Sequence, residues 1–342
     1  MKAFITPFLW LFGFTLIAQS TYTNPLDETI NLADPYVYKH GDHYYLYGTT
    51  ASGTGFQTWK SPNLVDWEYV GWIFKKDKDT WGQGSFWAPE MIEYKGKFYL
   101  IYSSSGKTKF GQGMRICISV ADHPEGPFKE LHAPLFDFGY GTIDGHIYIE
   151  EDKPYLYYEM VGAVGNFTKQ QGFLWGVIMG VELADDLSGP ITEQKLCIYP
   201  SQEWEGTKSM WARSNEGMTV FKSNNTYYMM YSGNHWRDPN YGIGYATSDR
   251  PVGGLWTKYE GNPILEKDLE RGISGPGHNS IIRSPDEKEL FIVYHTHILK
   301  DGEVRGGRTI NIDRLMIKKD GTLEVVGPTK TPQPFPSGAT KK

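Results

Sequence analysis

The sequence predicts an all-β chain assembled from five copies of one unit, and two observations carry that prediction. The first is composition. Of 342 residues, 15% are aromatic; Tyr alone numbers 23, beside 39 Gly and 20 Pro. Such a chain favours many short strands joined by turns over long helices. The second is repetition: a polar residue beside Gly or Pro, an apolar segment, a polar turn and a Tyr-rich strand recur in that order.

The copies read ADPYVYKHGDHYYLYGTT from Ala33, APEMIEYKGKFYLIYSSS from Ala88, IDGHIYIEEDKPYLYYEM from Ile143, NEGMTVFKSNNTYYMMYSGN from Asn215 and GHNSIIRSPDEKELFIVYHTHI from Gly277. Each predicts a β-hairpin, because the turns KHGDH, YKGK, EEDK, KSNN and SPDEKE are built from residues that accept tight or left-handed turns. Further short strands follow most hairpins, around SPNLVDWEYVG, ADHPEGPFKEL, ADDLSGPI and SDRPVGGLWTKY. Four strands per repeat, at a period of roughly 50 residues or more, describe propeller blades. The expected architecture is therefore a five-bladed β-propeller. A two-sheet sandwich would not explain why one phrase returns five times.

The first twenty residues carry one Lys, an apolar run from Ala3 to Ile17, then small or polar residues. This pattern predicts a secretory signal peptide over residues 1–20 and a single catalytic domain over 21–342. The apolar run is short for a membrane span and contains Pro7. Export implies a secreted or periplasmic protein with no membrane span once the signal is removed. Cys117 and Cys197 could then form one disulfide, or remain two buried thiols. A formal net charge of -6 without a dense Lys/Arg run supplies no field for a phosphate backbone, so nucleic acid is not an expected partner.

In a propeller the innermost strand of every blade runs beside the central channel, so residues at one place in each repeat converge. The leading polar residues are Asp34, Glu90, Asp144, Glu216 and His278. Gathered carboxylates perturb one another's pKa, an arrangement that is costly unless chemistry or a cation uses it. Two separated carboxyls can hydrolyse a glycosidic bond, one donating a proton to the leaving oxygen and the other activating water. Taken singly, Asp34 before Pro reads as a turn residue and Glu90 as a loop or ion-pair residue; the shared register argues for more, and Glu90 is expected to contact substrate. Trp87 is the best placed aromatic for stacking on the apolar face of a sugar, with Phe86, Trp211 and Trp236 behind it.

Ala33-Asp34-Pro35, Trp87-Ala88-Pro89-Glu90, Ile143-Asp144-Gly145, Asn215-Glu216-Gly217 and Gly275-Pro276-Gly277-His278, in this order and spacing, resemble glycoside hydrolase family 43. The family comprises five-bladed enzymes that include arabinofuranosidases, xylosidases and arabinanases. The resemblance implies inversion at the anomeric carbon, with Asp34 as general base, Glu216 as general acid, and Asp144 modulating and orienting the acid. It implies that Arg308 reaches the sugar, although an ion pair with a channel carboxylate is an equal role for it. It also implies that His278 lies near a central cation, commonly calcium, held through water; no cofactor is required for the chemistry. Met218 departs from the family pattern, where Pro often follows the acidic Glu-x pair. His295 and His297 share a strand face and are expected to be structural or to touch substrate.

The leading expectation is an exo-acting α-L-arabinofuranosidase acting on plant-type carbohydrate. β-Xylosidase, galactofuranosidase and endo-arabinanase activities are the alternatives within the family, and an inactive carbohydrate-binding propeller is the alternative outside it. Fructan hydrolysis or phosphorolysis is a further option, the last needing a basic phosphate pocket. The long connection from Gly162 to Gly176 is expected at the pocket rim.

Overall fold

A computed structural model describes residues 20–161, 176–206 and 213–341. The expected signal segment, Trp211 and most of the connection from Gly162 to Gly176 fall outside these residues. Five four-stranded antiparallel sheets follow one another along the chain, each made of consecutive strands. After β1 (Thr21–Tyr22), blade I comprises β2 (Ala33–His40), β3 (His43–Thr49), β4 (Gly55–Ser61) and β5 (Glu68–Lys75). Blade II comprises β6 (Gly84–Tyr94), β7 (Lys97–Thr108), β8 (Gly111–Ala121) and β9 (Lys129–His132). Blade III has β10 (Gly141–Glu150), β11 (Lys153–Val161), β12 (Val177–Glu182) and β13 (Lys195–Ile198). Blade IV has β14 (Asn215–Ser223), β15 (Thr226–Gly233), β16 (Gly242–Ser248) and β17 (Thr257–Lys258). Blade V has β18 (Gly277–Arg283), β19 (Leu290–Lys300), β20 (Glu303–Ile317) and β21 (Leu323–Val326).

The Tyr-rich strands explain how the blades cohere. Successive side chains of a strand point to opposite faces. On β3, Tyr44 and Leu46 therefore enter the core shared with blade V, whereas Tyr45 and Tyr47 enter the core shared with blade II. Each of the five apolar cores lies between neighbouring blades, so no blade buries its faces alone. At roughly 1.5–3 kcal/mol for each fully buried large apolar side chain, these cores dominate the stabilisation. Phe86, expected as a sugar contact, is fully buried in the core between blades I and II, against Phe56 and Tyr102. Its neighbour Trp87 points the other way, which strand alternation requires.

The ring closes between blades V and I. Val37 N–H donates to Ser280 Oγ at 3.2 Å, and that hydroxyl donates to Pro35 O at 3.0 Å. Leu26 N–H and Leu32 N–H bond the backbone of Ile310 and Arg308, and β1 pairs with β22 (Gln333–Pro334) near the other terminus. Cys117 and Cys197 are both buried free thiols in different blades. No helix among the described residues is long and apolar enough to cross a membrane.

Candidate active site

Every innermost strand breaks register near its start, where two residues bulge away from the hairpin partner. The breaks fall between Ala33 and Tyr36, Trp87 and Glu90, Ile143 and His146, Glu216 and Thr219, and Gly277 and Ser280. The first bulged residue of each, Asp34, Ala88, Asp144, Gly217 and His278, has φ of 54°, 44°, 55°, 55° and 49°. Left-handed backbone at a residue other than Gly costs on the order of 1–3 kcal/mol and concentrates at functional sites. At Gly217 the requirement is strict, because an added Cβ would lie 2.8 Å from the His278 ring.

This places the expected residues in three registers. Asp34, Asp144 and His278 are equivalent bulge residues, whereas Glu216 stands one residue earlier, equivalent to Trp87 and Ile143. Glu90 stands beyond its bulge, equivalent to Tyr36, His146, Thr219 and Ser280. It is buried in the channel, with its Oε2 2.7 Å from His146 Nδ1. Val220 N–H donates to His146 Nε2 at 3.0 Å, so the His146 proton sits on Nδ1 and is given to Glu90. Glu90 is not among the residues lining the pocket that holds the other carboxylates; its contact in the channel is His146.

That pocket, of about 320 Å³, opens where the innermost strands begin. All five blades contribute: Asp34, Thr49 and Ser52 from I, Trp87 from II, Ile143 and Asp144 from III, Glu216, Trp236 and Arg237 from IV, His278 and Arg308 from V. Asp34 Oδ1 accepts from Arg308 Nη1 at 3.1 Å, and its Oδ2 accepts from Thr49 Oγ1 at 2.6 Å. Burial alone would raise its pKa, but Arg308, His278 and Thr49 together outweigh burial and hold it below the ordinary carboxylate value. Asp34 is thus an anion with one oxygen near a cation, suited to accept a proton.

Glu216 differs. Burial pushes its pKa up to about 7, with the Asp34 charge adding to the rise and the Tyr241 hydroxyl bond and Arg308 opposing it. A carboxyl that still holds its proton near neutrality suits proton donation. Asp144 is also raised well above the ordinary carboxylate value, by burial first and then by Glu216 and Asp34, against a bond of 3.2 Å from Gly217 N–H to its Oδ2. An ionised carboxylate and a protonated carboxyl lining one pocket can divide the work of glycosidic hydrolysis without a cofactor.

The sequence profile described as "Glycosyl hydrolases family 43" matches residues 22–323. The chain belongs to glycoside hydrolase family 43. Among curated relatives it is 29% identical to "Beta-D-galactofuranosidase xynD" of Aspergillus niger, over 85% of this chain and 81% of that one. Among solved structures it resembles "a thermostable family-43 glycoside hydrolase" at 46% identity and a TM-score of 0.86, covering 93% of this chain and 100% of the other. It also resembles an "Endo-1,4-beta-xylanase" of Bacteroides thetaiotaomicron at 33% identity and a TM-score of 0.73, covering 93% and 99%. The chain is therefore a glycosidase whose substrates are carbohydrates.

The family 43 frame leaves calcium to be tested on the residues around His278. Its Nδ1 lies 3.4 Å from Asp34 Oδ1 and 3.9 Å from Asp144 Oδ2. Calcium takes six to eight oxygen ligands. Asp34 is already engaged by Arg308 and Thr49, and no group of three ligating side chains among the described residues includes His278. These donors do not fit a calcium ligated directly through His278. Burial lowers the His278 pKa, Asp34 and Glu90 opposing, which favours a neutral ring between the carboxylates.

Neither of the other histidines lines the pocket. His295 is fully buried; its Nδ1 accepts Asp34 N–H at 3.1 Å, and its ring stacks on Tyr241. His297 bonds Ser274 Oγ and Trp236 O, and so braces the pocket wall. Sequence reasoning missed Thr49, Tyr241 and Glu159. A signal for the first and last was present: each Tyr-rich strand carries a polar residue just after a Tyr, in Tyr-Gly-Thr, Tyr-Ser, Tyr-Glu, Tyr-Ser and Tyr-His, placing Thr49, Ser103, Glu159, Ser232 and His295 directly opposite the residues that precede the bulges.

Proposed function

We propose that this family 43 enzyme is a secreted, exo-acting, inverting α-L-arabinofuranosidase. The observation that carries the reading is the unequal pair lining one pocket: Asp34, held ionised beside Arg308, and Glu216, held protonated beside Tyr241. In the reading, a furanosyl unit sits in the pocket with an apolar ring face against Trp87, which is 37% exposed there. Asp34 takes a proton from water as that water attacks the anomeric carbon. Glu216 gives its proton to the departing oxygen in the same step. Asp144, fixed by Gly217 N–H immediately beside Glu216, orients the acid. Arg308, which also lies 4.8 Å above the Trp236 ring, holds Asp34 and meets the sugar. Export agrees with the first twenty residues and with relatives described as extracellular.

A β-D-galactofuranosidase is the second reading, favoured by the Aspergillus niger relative. The two furanosides share ring configuration and differ in the exocyclic group, so one pocket can be tuned to either. Hydrolysis rates on 4-nitrophenyl α-L-arabinofuranoside, β-D-galactofuranoside and β-D-xyloside, followed by product analysis on arabino-oligosaccharides, test the proposal. Fastest turnover of the arabinofuranoside with release of monomer supports it; a xyloside preference or release of oligomers contradicts it.

A further inference from the structure

The five bulges are stitched to one another around the ring. In four of the five blades the first bulged N–H is satisfied by a side chain on the second strand of the preceding blade, the one opposite the residue before that blade's own bulge. Ala88 N–H donates to Thr49 Oγ1 at 2.8 Å, Asp144 N–H to Ser103 Oγ at 2.9 Å, His278 N–H to Ser232 Oγ at 2.7 Å, and Asp34 N–H to His295 Nδ1 at 3.1 Å. The fifth stitch should run from Gly217 to Glu159, the residue opposite Ile143. It does not. Gly217 N–H donates to Asp144 Oδ2 instead. Glu159 is released from the role that its four equivalents perform.

A carboxyl with no stitch to make is nonetheless kept at 1% exposure. Ser214 Oγ donates to its Oε1 at 2.8 Å, and its Oε2 has no partner among the described residues. Oxygens of Glu159, Asp144 and Glu216 all lie within 4.8 Å of one another. No hydrogen bond joins Glu159 to the other two, a separation that one water spans. Leaving a buried carboxyl oxygen without a bond costs stability, so packing alone does not account for a Glu where Ser or Thr serves elsewhere.

We propose that Glu159 is a positioning residue for Glu216: a buried third carboxyl that shares protons with Glu216 and Asp144, so that Glu216 enters each turnover in its acid form. The inference rests on Glu216 being the acid. Glu159 and Ser214 line a cavity of about 350 Å³ that shares Trp87, Ile143, Glu216 and Trp236 with the pocket; Glu159 gives no proton to product, and Glu216 delivers the proton and regains one from solvent. The groups facing Glu159 are Asp144 and Glu216, and those facing Glu216 include Tyr241, Asp34 and Arg308. Burial raises the Glu159 pKa first, with Glu216 and then Asp144 adding to it. Three such carboxyls titrate as a set. Like charges this close raise one another's hold on protons, so removing Glu159 takes one carboxylate from the set and lets the remaining pair, Glu216 and Asp144, give up its last proton at lower pH.

Two variants test this. Glu159→Gln keeps the shape, and Glu159→Ser installs the residue that blades II and IV use, with a hydroxyl able to accept the Gly217 N–H. The experiment measures kcat/KM against pH for an alkyl furanoside, whose leaving group needs a proton, and for a dinitrophenyl furanoside, whose leaving group does not, together with Tm. The expected result is a Tm near wild type and an alkaline limb lowered by about one pH unit on the alkyl substrate only. An unmoved limb in either folded variant, or equal loss on both substrates, overturns the proposal. Glu216→Gln run in parallel separates the two readings: if it spares the alkyl substrate, the acid assignment itself fails, whereas if it behaves as an acid variant and the limb of Glu159→Ser stays put, only the role of Glu159 fails.

Discussion

The Tyr241 hydroxyl donates to Glu216 Oε1 at 2.7 Å from a ring that is itself fully buried and stacked on His295. The bond fixes the carboxyl and favours its charged form, so it lowers the Glu216 pKa that burial raises. Tyr241→Phe therefore raises that pKa. The alkaline limb of kcat/KM should move above its wild-type position near about 7, with kcat on poor leaving groups falling as the acid loses its aim. A pH profile of the variant checks both; a limb that stays or falls contradicts the clamp.

Arg308 holds Asp34, the proposed base, by its Oδ1 at 3.1 Å. Without it, Asp34 keeps the burial that raises its pKa and loses the largest of the influences that lower it. Arg308→Met should move the acid limb of kcat/KM to higher pH and reduce turnover at neutrality by about tenfold or more. The same shift enters stability. A carboxyl whose folded pKa lies below its unfolded value stabilises the fold above the unfolded pKa and ceases to as pH falls through the folded one. Urea titrations from neutral to acid pH should show the variant losing that component of the wild-type pH dependence.

Trp87 stands directly before its bulge, equivalent to Glu216 and Ile143, and faces the pocket while Phe86 faces the core. Trp87→Ala removes a stacking surface and touches neither carboxylate. KM should rise about threefold to tenfold, as expected for a lost aromatic contact, with kcat less affected. Unchanged KM on both furanosides would remove Trp87 from the sugar site.

Beneath Glu216, Glu205 is fully buried and ion-paired to Lys258, and it also accepts from Tyr231 Oη at 2.7 Å and Asn215 Nδ2 at 3.2 Å. Glu205→Ala leaves a buried ammonium without its anion. The expected loss is about 3–5 kcal/mol by urea unfolding, while Lys258→Met, which removes the charge, should cost less. Equal losses would contradict the argument.

The five-fold repeat was legible because each Tyr-rich strand is apolar on both faces, a pattern that only inter-blade packing satisfies. The bulges were not legible. One residue separates Glu216, and two separate Glu90, from the register of Asp34, Asp144 and His278, and a phrase aligned by its polar residues hides that difference. Glu90, two residues out of that register, contacts His146. Glu159 was passed over because the polar residue after Tyr reads as a strand end until the stitch between neighbouring blades is seen. Tyr241 acts through a hydroxyl bond to a residue 25 positions away, for which a single sequence carries no local signal; Thr49, like Glu159, was marked only by its place after the Tyr of its strand.

The account turns on Asp34 activating water in a single displacement rather than attacking the sugar itself. Proton NMR of the product formed in the first turnovers, before mutarotation, tests this most directly. An α-L-arabinofuranoside should release β-L-arabinofuranose first, the inverted anomer. Release of the α anomer would make Asp34 a nucleophile and contradict the roles assigned to it and to Glu216.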